Sequence, residues 1–332
     1  MRIFTLVLYL IVSSIKLSAQ ELPNQGKYAL NDVELILLGD DGKVLEKKVV
    51  GSQDNEKYAL MDKAEKRVLD KLGLKSKAES KGNRDLAQKY YQEYAKILKY
   101  NKLDPKYLEF RNDKATLEKK ISIGYSETKS GGIKEQISRT PVISKSQTSA
   151  VISENKLSIY EGISAPDGEG TIKYYGANGE VAWEHSFGGK RAVTAAHLSK
   201  DGGVIGVIDM CEANCTSFLE QGIPIRRFNL FDKNGKELIT YPPTPGGCDF
   251  DTSNFWISLA GDYAIISCLD RSFAFNVQKR EIAKLPYRID VLKDKMDSEI
   301  RSGDNIKART TSSKEIVNSA DLNLSKLPWE KL

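Results

Sequence analysis

Three regimes of hydrophobic and polar patterning follow one another along the chain. Residues 33–50 (VELILLGDDGKVLEKKVV) place apolar runs on either side of Asp41-Gly42, the pattern of a hairpin in an N-terminal region 20–53. Its turn needs a positive φ, which glycine supplies freely. Between 54 and 120 the period changes. Leu60, Ala64, Val68 and Leu72 recur at i, i+4, i+8 and i+12, and Leu86, Tyr90, Tyr94, Ile97 and Leu98 mark a second stripe. That spacing predicts helices. Gly73 and Gly82 punctuate the first junction, and Asp104-Pro105 offers the N-cap and N1 residues of a third helix. From 121 to about 290 the pattern is short strands and turns, and 291–332 is a tail without a defined pattern.

Within the strand region a unit recurs. KYYGANGEVAWEHSF (173–187) and RFNLFDKNGKELITY (227–241) are each an aromatic strand, an Asn-Gly turn and a second strand. AVISENKLSIY (150–160), AHLSKDGGVIGVID (196–209) and WISLAGDYAIISC (256–268) place Ser153, Ser199 and Ser258 at one point of the unit, 46 and 59 residues apart. Gly179, Gly235 and Lys279 align the hairpins at offsets of 56 and 44, the longer steps holding the excursion from Cys211 to Gly222. Repeats of 40 to 50 residues with about four strands each have the spacing of β-propeller blades. If the alignment holds, Val204, Gly206 and Ile208 share one sheet face, and Ile205 and Val207 the other.

On these residues the chain resembles a known family. YYGANGEVAWE, with Trp183 four residues after Gly179, is similar to the quinoprotein (PQQ-type) β-propeller repeat, and SKDGGVIGVI to the strand-turn-strand of WD40-like propellers. The resemblance spans roughly 149–287. It implies a mainly β fold with a helical N-terminal segment, and a partial or small propeller of about four-stranded blades over 121–290. About three blades are readable, with 33–50, 121–148 and 288–306 as sources of further strands. Quinoprotein enzymes commonly carry a ring of adjacent cysteines and stacked tryptophans. This chain has no adjacent cysteines and only Trp183, Trp256 and Trp329, so no cofactor and no cofactor-binding residue is expected.

Composition is that of a folded protein, 40% hydrophobic and 29% charged over 332 residues. A net charge of +5 is no nucleic-acid signature. Residues 54–120 hold 18 Lys or Arg against 12 Asp or Glu, with Tyr90, Tyr91, Tyr94, Tyr100 and Tyr107 among them. A nucleic-acid or anionic-glycan surface is one reading. Tyrosines packing an apolar stripe, with lysines solvating the other face, is the one expected.

The N-terminus reads as an export signal. Met1-Arg2, the apolar run Ile3 to Val12 and SSIKLSA give the layout of a signal peptide over 1–19, cut near Ala19. No later segment has the length and apolarity of a membrane span. In an oxidising compartment Cys211, Cys215, Cys248 and Cys268 become disulfide candidates, with three pairings open. A Cys211–Cys215 bridge beside Cys248–Cys268 is the simplest.

Candidate chemistry is sparse. Asp232-Lys-Asn234-Gly235 resembles the start of a calcium loop but lacks the later acids, and a hairpin is expected. Zinc has only His185 and His197 beside cysteines without a CxxC pair. His197, Ser199 and Asp201 lie close in sequence, yet His197 occupies a strand position filled by Val151 and Trp256 in the other repeats and reads as core. His185 has no visible partner. No Walker loop, GxGxxG, HExxH or nucleophile elbow occurs. No catalytic or metal residue is therefore assigned. The expected function is an extracytoplasmic, non-catalytic binding or scaffolding protein for an envelope or extracellular protein or glycan. The alternative is a secreted hydrolase or oxidoreductase with a site in a central channel.

Overall fold

Strand β1 (Lys27–Leu30) pairs with β5 (Tyr107–Asn112), and the residues between them build a separate α/β unit. The computed structural model describes residues 26–332 apart from 52–54, 105, 113–116, 131–132, 161–162, 167–169, 189–190, 212–224, 243–249, 251–254, 292–304 and 312–315. In the inserted unit β2 (Val33–Leu38), β3 (Val44–Val50) and β4 (Leu98–Lys102) form a sheet in the order β3-β2-β4. Helices α1 (Asn55–Leu72), α2 (Lys77–Lys81) and α3 (Arg84–Ile97) belong to the same unit. Leu60, Ala64 and Val68 of α1 share a core with Leu35, Leu37 and Val50 of the sheet and Tyr90 and Ile97 of α3. Asn83 caps α3, its Oδ1 accepting from the backbone N–H of Asp85 and Leu86.

Helices cover 55–97 rather than 54–120. The helix expected after Asp104-Pro105 does not form: β5 and β6 (Leu117–Ser122) occupy that stretch, and Pro105 lies outside the described residues. Leu108 and Phe110 alternate at period two and pair with Leu30 and Tyr28 of β1. Sheet pairing and burial there outweigh a local capping signal.

Beyond β6 the chain lays down antiparallel meanders. β7 (Gly124–Ser130), β8 (Ile133–Ile143), β9 (Ala150–Tyr160), β11 (Thr171–Tyr175) and β12 (Val181–Ser186) form one sheet, with β10 (Ile163–Pro166) turned back on β9. β13 (Arg191–Leu198), β14 (Val204–Cys211), β15 (Arg226–Asp232) and β16 (Glu237–Tyr241) form the next. β17 (Phe255–Ile257), β18 (Tyr263–Ser267), β19 (Ser272–Asn276) and β20 (Glu281–Leu285) follow, with β24 (Glu330–Lys331) on the β20 edge. The stretch expected to be a patternless tail adds strands: β22 (Asn305–Thr311) and β23 (Ile316–Asn323) join β21 (Arg288–Val291) in a last sheet.

Successive sheets pack face to face. Tyr28 and Phe110 of the first sheet share a core with Ala150 and Tyr175 of the second. Val151 and Tyr174 of the second meet Ile205, Val207 and Phe231 of the third. Val204, Ile208 and Phe228 of the third meet Phe255, Ile266 and Phe275 of the fourth. Ile265 and Ala274 of the fourth meet Ile289 of the last. The alternation expected along 204–208 is therefore present. Gly206 shares the face of Val204 and Ile208, where a Cβ would lie 2.4 Å from the Phe255 ring. This row of antiparallel sheets is consistent with a partial β-propeller. Among the described residues no core joins the first sheet to the last.

The repeat itself is sharper than its sequence. Ser199 and Ser258 each donate their backbone N–H to the carbonyl five residues on, and each Oγ accepts that residue's N–H, at 3.0 Å in both. The residue three along is left-handed: Gly202 at φ 76° and Gly261 at φ 80°. The equivalent in the first repeat is Ser144, not Ser153. Ser144 makes the same bonds with Ser149, and Gln147 takes the left-handed position at φ 62°. Ser153 lies within β9. The signature glycine is absent from that turn, so the sequence displaced the register by nine residues. The third hairpin likewise has a loop one residue shorter than the others, and its left-handed residue is Arg280 (φ 54°), not Lys279.

These features fix three outcomes. Left-handed backbone strains a side chain by about 1–2 kcal/mol, while glycine forfeits about 0.5–1 kcal/mol of chain entropy. Arg280→Gly should therefore raise stability in urea unfolding by about 0.5–1 kcal/mol. Gly202→Ala should lower it by more than about 1 kcal/mol, because a Cβ there also falls 1.9 Å from Ser149 Oγ. In the α/β unit, hydrogen bonds from Lys71 and Lys96 hold the Glu93 carboxyl down at about 2, below its ordinary 4.5. A depressed carboxylate stabilises the fold above its unfolded pKa and loses that contribution as pH falls from about 4.5 toward 2. Glu93→Gln should flatten that part of the acid unfolding profile followed by circular dichroism.

Candidate functional site

The residues singled out from sequence serve the framework. Ser199 Oγ donates to Asp201 Oδ1 at 3.1 Å and accepts from Val204 N, while the His197 ring sits edge-on against Phe255 with centroids 4.7 Å apart. That set is a turn beside a packed histidine, not a nucleophile with its base. Asp232 Oδ1 accepts from the N–H of Asn234 and Lys236 at 2.8 and 2.9 Å, so it braces a hairpin. Among the described residues no group of His, Cys, Asp and Glu could hold a metal ion.

Cys211 and Cys268 are both buried. Cys215, Cys248 and most of the excursion expected as a surface loop lie outside the described residues. Of the five tyrosines, Tyr90 is buried and Tyr94 packs beside it at 6.2 Å, whereas Tyr91, Tyr100 and Tyr107 are exposed.

A buried polar cluster lies on the third sheet. Asp209 is fully buried and accepts from Arg191 Nε, from Arg227 Nη2 at 3.1 Å and from Asn229 Nδ2 at 2.6 Å. Thr240 Oγ1 donates to Asn229 Oδ1, and Arg227 Nη2 reaches back to the Phe187 carbonyl beside the second sheet. Strand register produces this geometry. Asp209 stands opposite Arg227, and Asn229 is two residues further on, so all three share a face with Phe231. His185 of β12 packs against Phe187 and Phe231 nearby, and burial holds its pKa below the ordinary imidazole value. With the carboxylate engaged by Arg191, Arg227 and Asn229, the cluster is a clamp between strands rather than a reactive centre.

The open concave site is at the neck of the inserted unit. Two crossings run side by side there, 31–32 outward and 103–104 back, tied by the Leu103 N–H to the Asp32 carbonyl at 2.8 Å. A groove of about 550 Å³ is lined by Asn31, Val49, Lys102, Leu103, Asp104, Lys106, Tyr107 and Glu109. Glu109 is held by Arg111 at 2.9 Å and Lys120 at 3.7 Å. Burial pushes its carboxyl pKa upward. Hydrogen bonds from Asn31 and Arg111, with the charges of Arg111 and Lys120, outweigh that and leave it below the ordinary value. Asn31 Oδ1 is buried and accepts no hydrogen bond. Tyr107 is 45% exposed. Sequence reasoning passed over this groove because its residues sit at joints, six of them inside the stretch read as helical.

No protein-family model matches the chain, and no curated protein matches it. Similar solved structures include the Cps50 (Swd1) β-propeller domain of Myceliophteria thermophila, at 9% identity and a TM-score of 0.28. The match covers 54% of this chain and 59% of that one, so this chain spans well under two thirds of that domain. Hydrazine synthase of Kuenenia stuttgartiensis matches at 9% identity and a TM-score of 0.32, covering 68% of this chain and 92% of that one. A prolyl endopeptidase matches at 13% identity and a TM-score of 0.30, covering 68% and 38%. The architecture described above rests on this chain's own sheets and cores.

The clamp yields a direct expectation. Asp209→Ala leaves two guanidiniums in the cluster without their carboxylate, which costs about 3–5 kcal/mol where such a pair is buried. Chemical unfolding should show that loss, while Asp232→Ala, an exposed turn brace, should cost no more than about 1 kcal/mol.

Proposed function

We propose that this is an extracytoplasmic, non-catalytic binding or scaffolding protein that holds an envelope or extracellular partner in the neck groove. The observation that carries this reading is the groove itself, with an exposed aromatic ring and, among the described residues, a buried acceptor lacking a donor and two lysines that make no ion pair. Binding sites combine a concave surface with a few placed polar groups, and this groove has both. The row of stacked sheets then acts as a rigid mount, read as a propeller of the quinoprotein or WD40 type on GANGEVAW and SKDGGVIGVI. The signal-like pattern of residues 1–19 supports export, and in that compartment Cys211, Cys215, Cys248 and Cys268 are disulfide candidates.

Protein from its native host should begin near Gln20 by intact mass and show no reactive thiol when unfolded without reductant. Retention of Met1, or four reactive thiols, contradicts export. Mature protein should sediment with the envelope fraction, and the double variant Asn31→Ala, Tyr107→Ala should stay in the supernatant with an unchanged melting temperature. Equal sedimentation of both proteins contradicts the groove as the binding site.

A further inference from the structure

We propose that the neck groove binds an acidic saccharide, a carboxylated sugar ring or a short chain of such rings. The inference rests on the groove being the binding site and names the chemistry that it fits. Its volume of about 550 Å³ lies within the range of small-ligand sites and holds about one or two pyranose rings.

Charge sets the first requirement. Glu109 is already neutralised by Arg111 and Lys120. Lys102, Lys106 and Asp104 make no ion pair among the described residues, so the lining carries two ammonium groups against one unpaired carboxylate. A ligand carboxylate placed between Lys102 and Lys106 gains charge-assisted hydrogen bonds and redresses that excess.

Hydrogen bonding sets the second. Asn31 lines the groove, and its buried Oδ1 has no donor among the described residues. An unmet buried acceptor is unfavourable, and a turn of the Asn31 amide toward the groove would let a ligand hydroxyl satisfy it. Anionic acceptors and hydroxyl donors on one small scaffold describe an acidic sugar. Tyr107 supplies the third element, a half-exposed ring flat enough to cover the C–H face of a pyranose.

The floor argues against an extended peptide. Tyr107 and Glu109 belong to β5, the middle strand of its sheet, whose backbone is paired with β1 on one side and β6 on the other. Strand addition needs a free edge, which β5 does not offer.

The test is isothermal titration of the full mature chain with a galacturonate oligomer and with its methyl ester, which keeps the rings and hydroxyls and removes the charge. The acid should bind, and the ester should bind about tenfold more weakly or less. Lys102→Gln and Lys106→Gln, both exposed and checked by an unchanged melting temperature, should each weaken the acid about tenfold and leave the ester unaffected. Tyr107→Ala should weaken both. Raising the salt should weaken only the acid.

No binding of the acid, equal binding of acid and ester, or indifference to both lysine variants overturns the proposal. A neutral oligosaccharide or a peptide whose binding Tyr107→Ala abolishes would overturn the acidic class while leaving the groove in place. A ligand that no groove variant affects would overturn the groove as well.

Discussion

The stacking of the sheets depends on a backbone contact made at their turns. The first two Ser-initiated turns each present one N–H to the turn of the next repeat: Ser146 N donates to the Lys200 carbonyl and Lys200 N to the Leu259 carbonyl, both at 2.9 Å. The chain continues in the other direction, where Tyr28 N donates to the Gln147 carbonyl at 2.8 Å. At two of these turns the approach leaves no room for a side chain on the left-handed residue. Gly202 lies against Ser149 and Gly261 against Val204, so the glycine answers both a dihedral and a space requirement. The hairpins at the outer strands repeat the device, with Trp183 covering Gly235 and giving its Nε1–H to the Lys233 carbonyl. Repeats linked only to their neighbours in this way derive stability from each interface in turn.

That row of interfaces explains where the polar groups went. On the third sheet the face opposite the second carries Asp209, Arg227 and Asn229 beyond the apolar stretch of Ile205, Val207 and Phe231. The clamp closes that end of the interface with satisfied charges. The neck groove has the contrary character. Its residues lie at joints where the chain leaves one sheet for another, and their polar groups are not all consumed. Under the proposed function, the stacked sheets act as the mount and the insertion point carries the recognition chemistry.

Local sequence conveyed most of the architecture and little of the site. The stripe Leu60-Ala64-Val68 and the alternation along 204–208 report burial directly, because a face must be apolar at the period of its element. The same logic failed where tertiary pairing overrode it, at β5, whose Leu108 and Phe110 follow a helix-start signal that nothing used. The Ser144 turn escaped because Gln147 adopts glycine's conformation without announcing it. Asp209 was legible only as a polar residue in an otherwise buried strand. The groove could not be read at all, since Asn31, Val49, Lys102 and Tyr107 are brought together by an insertion whose ends meet only after β1 pairs with β5.

Native-state hydrogen exchange of the Ser146, Lys200 and Tyr28 amides tests the central claim, that turn-to-turn backbone bonds hold the sheets in one stack. The account predicts that all three exchange only through the same large opening as the strand interiors, with protection near that of Val207 and Ile265. Exchange of these amides at the rate of exposed turns, while the strands stay protected, would contradict it.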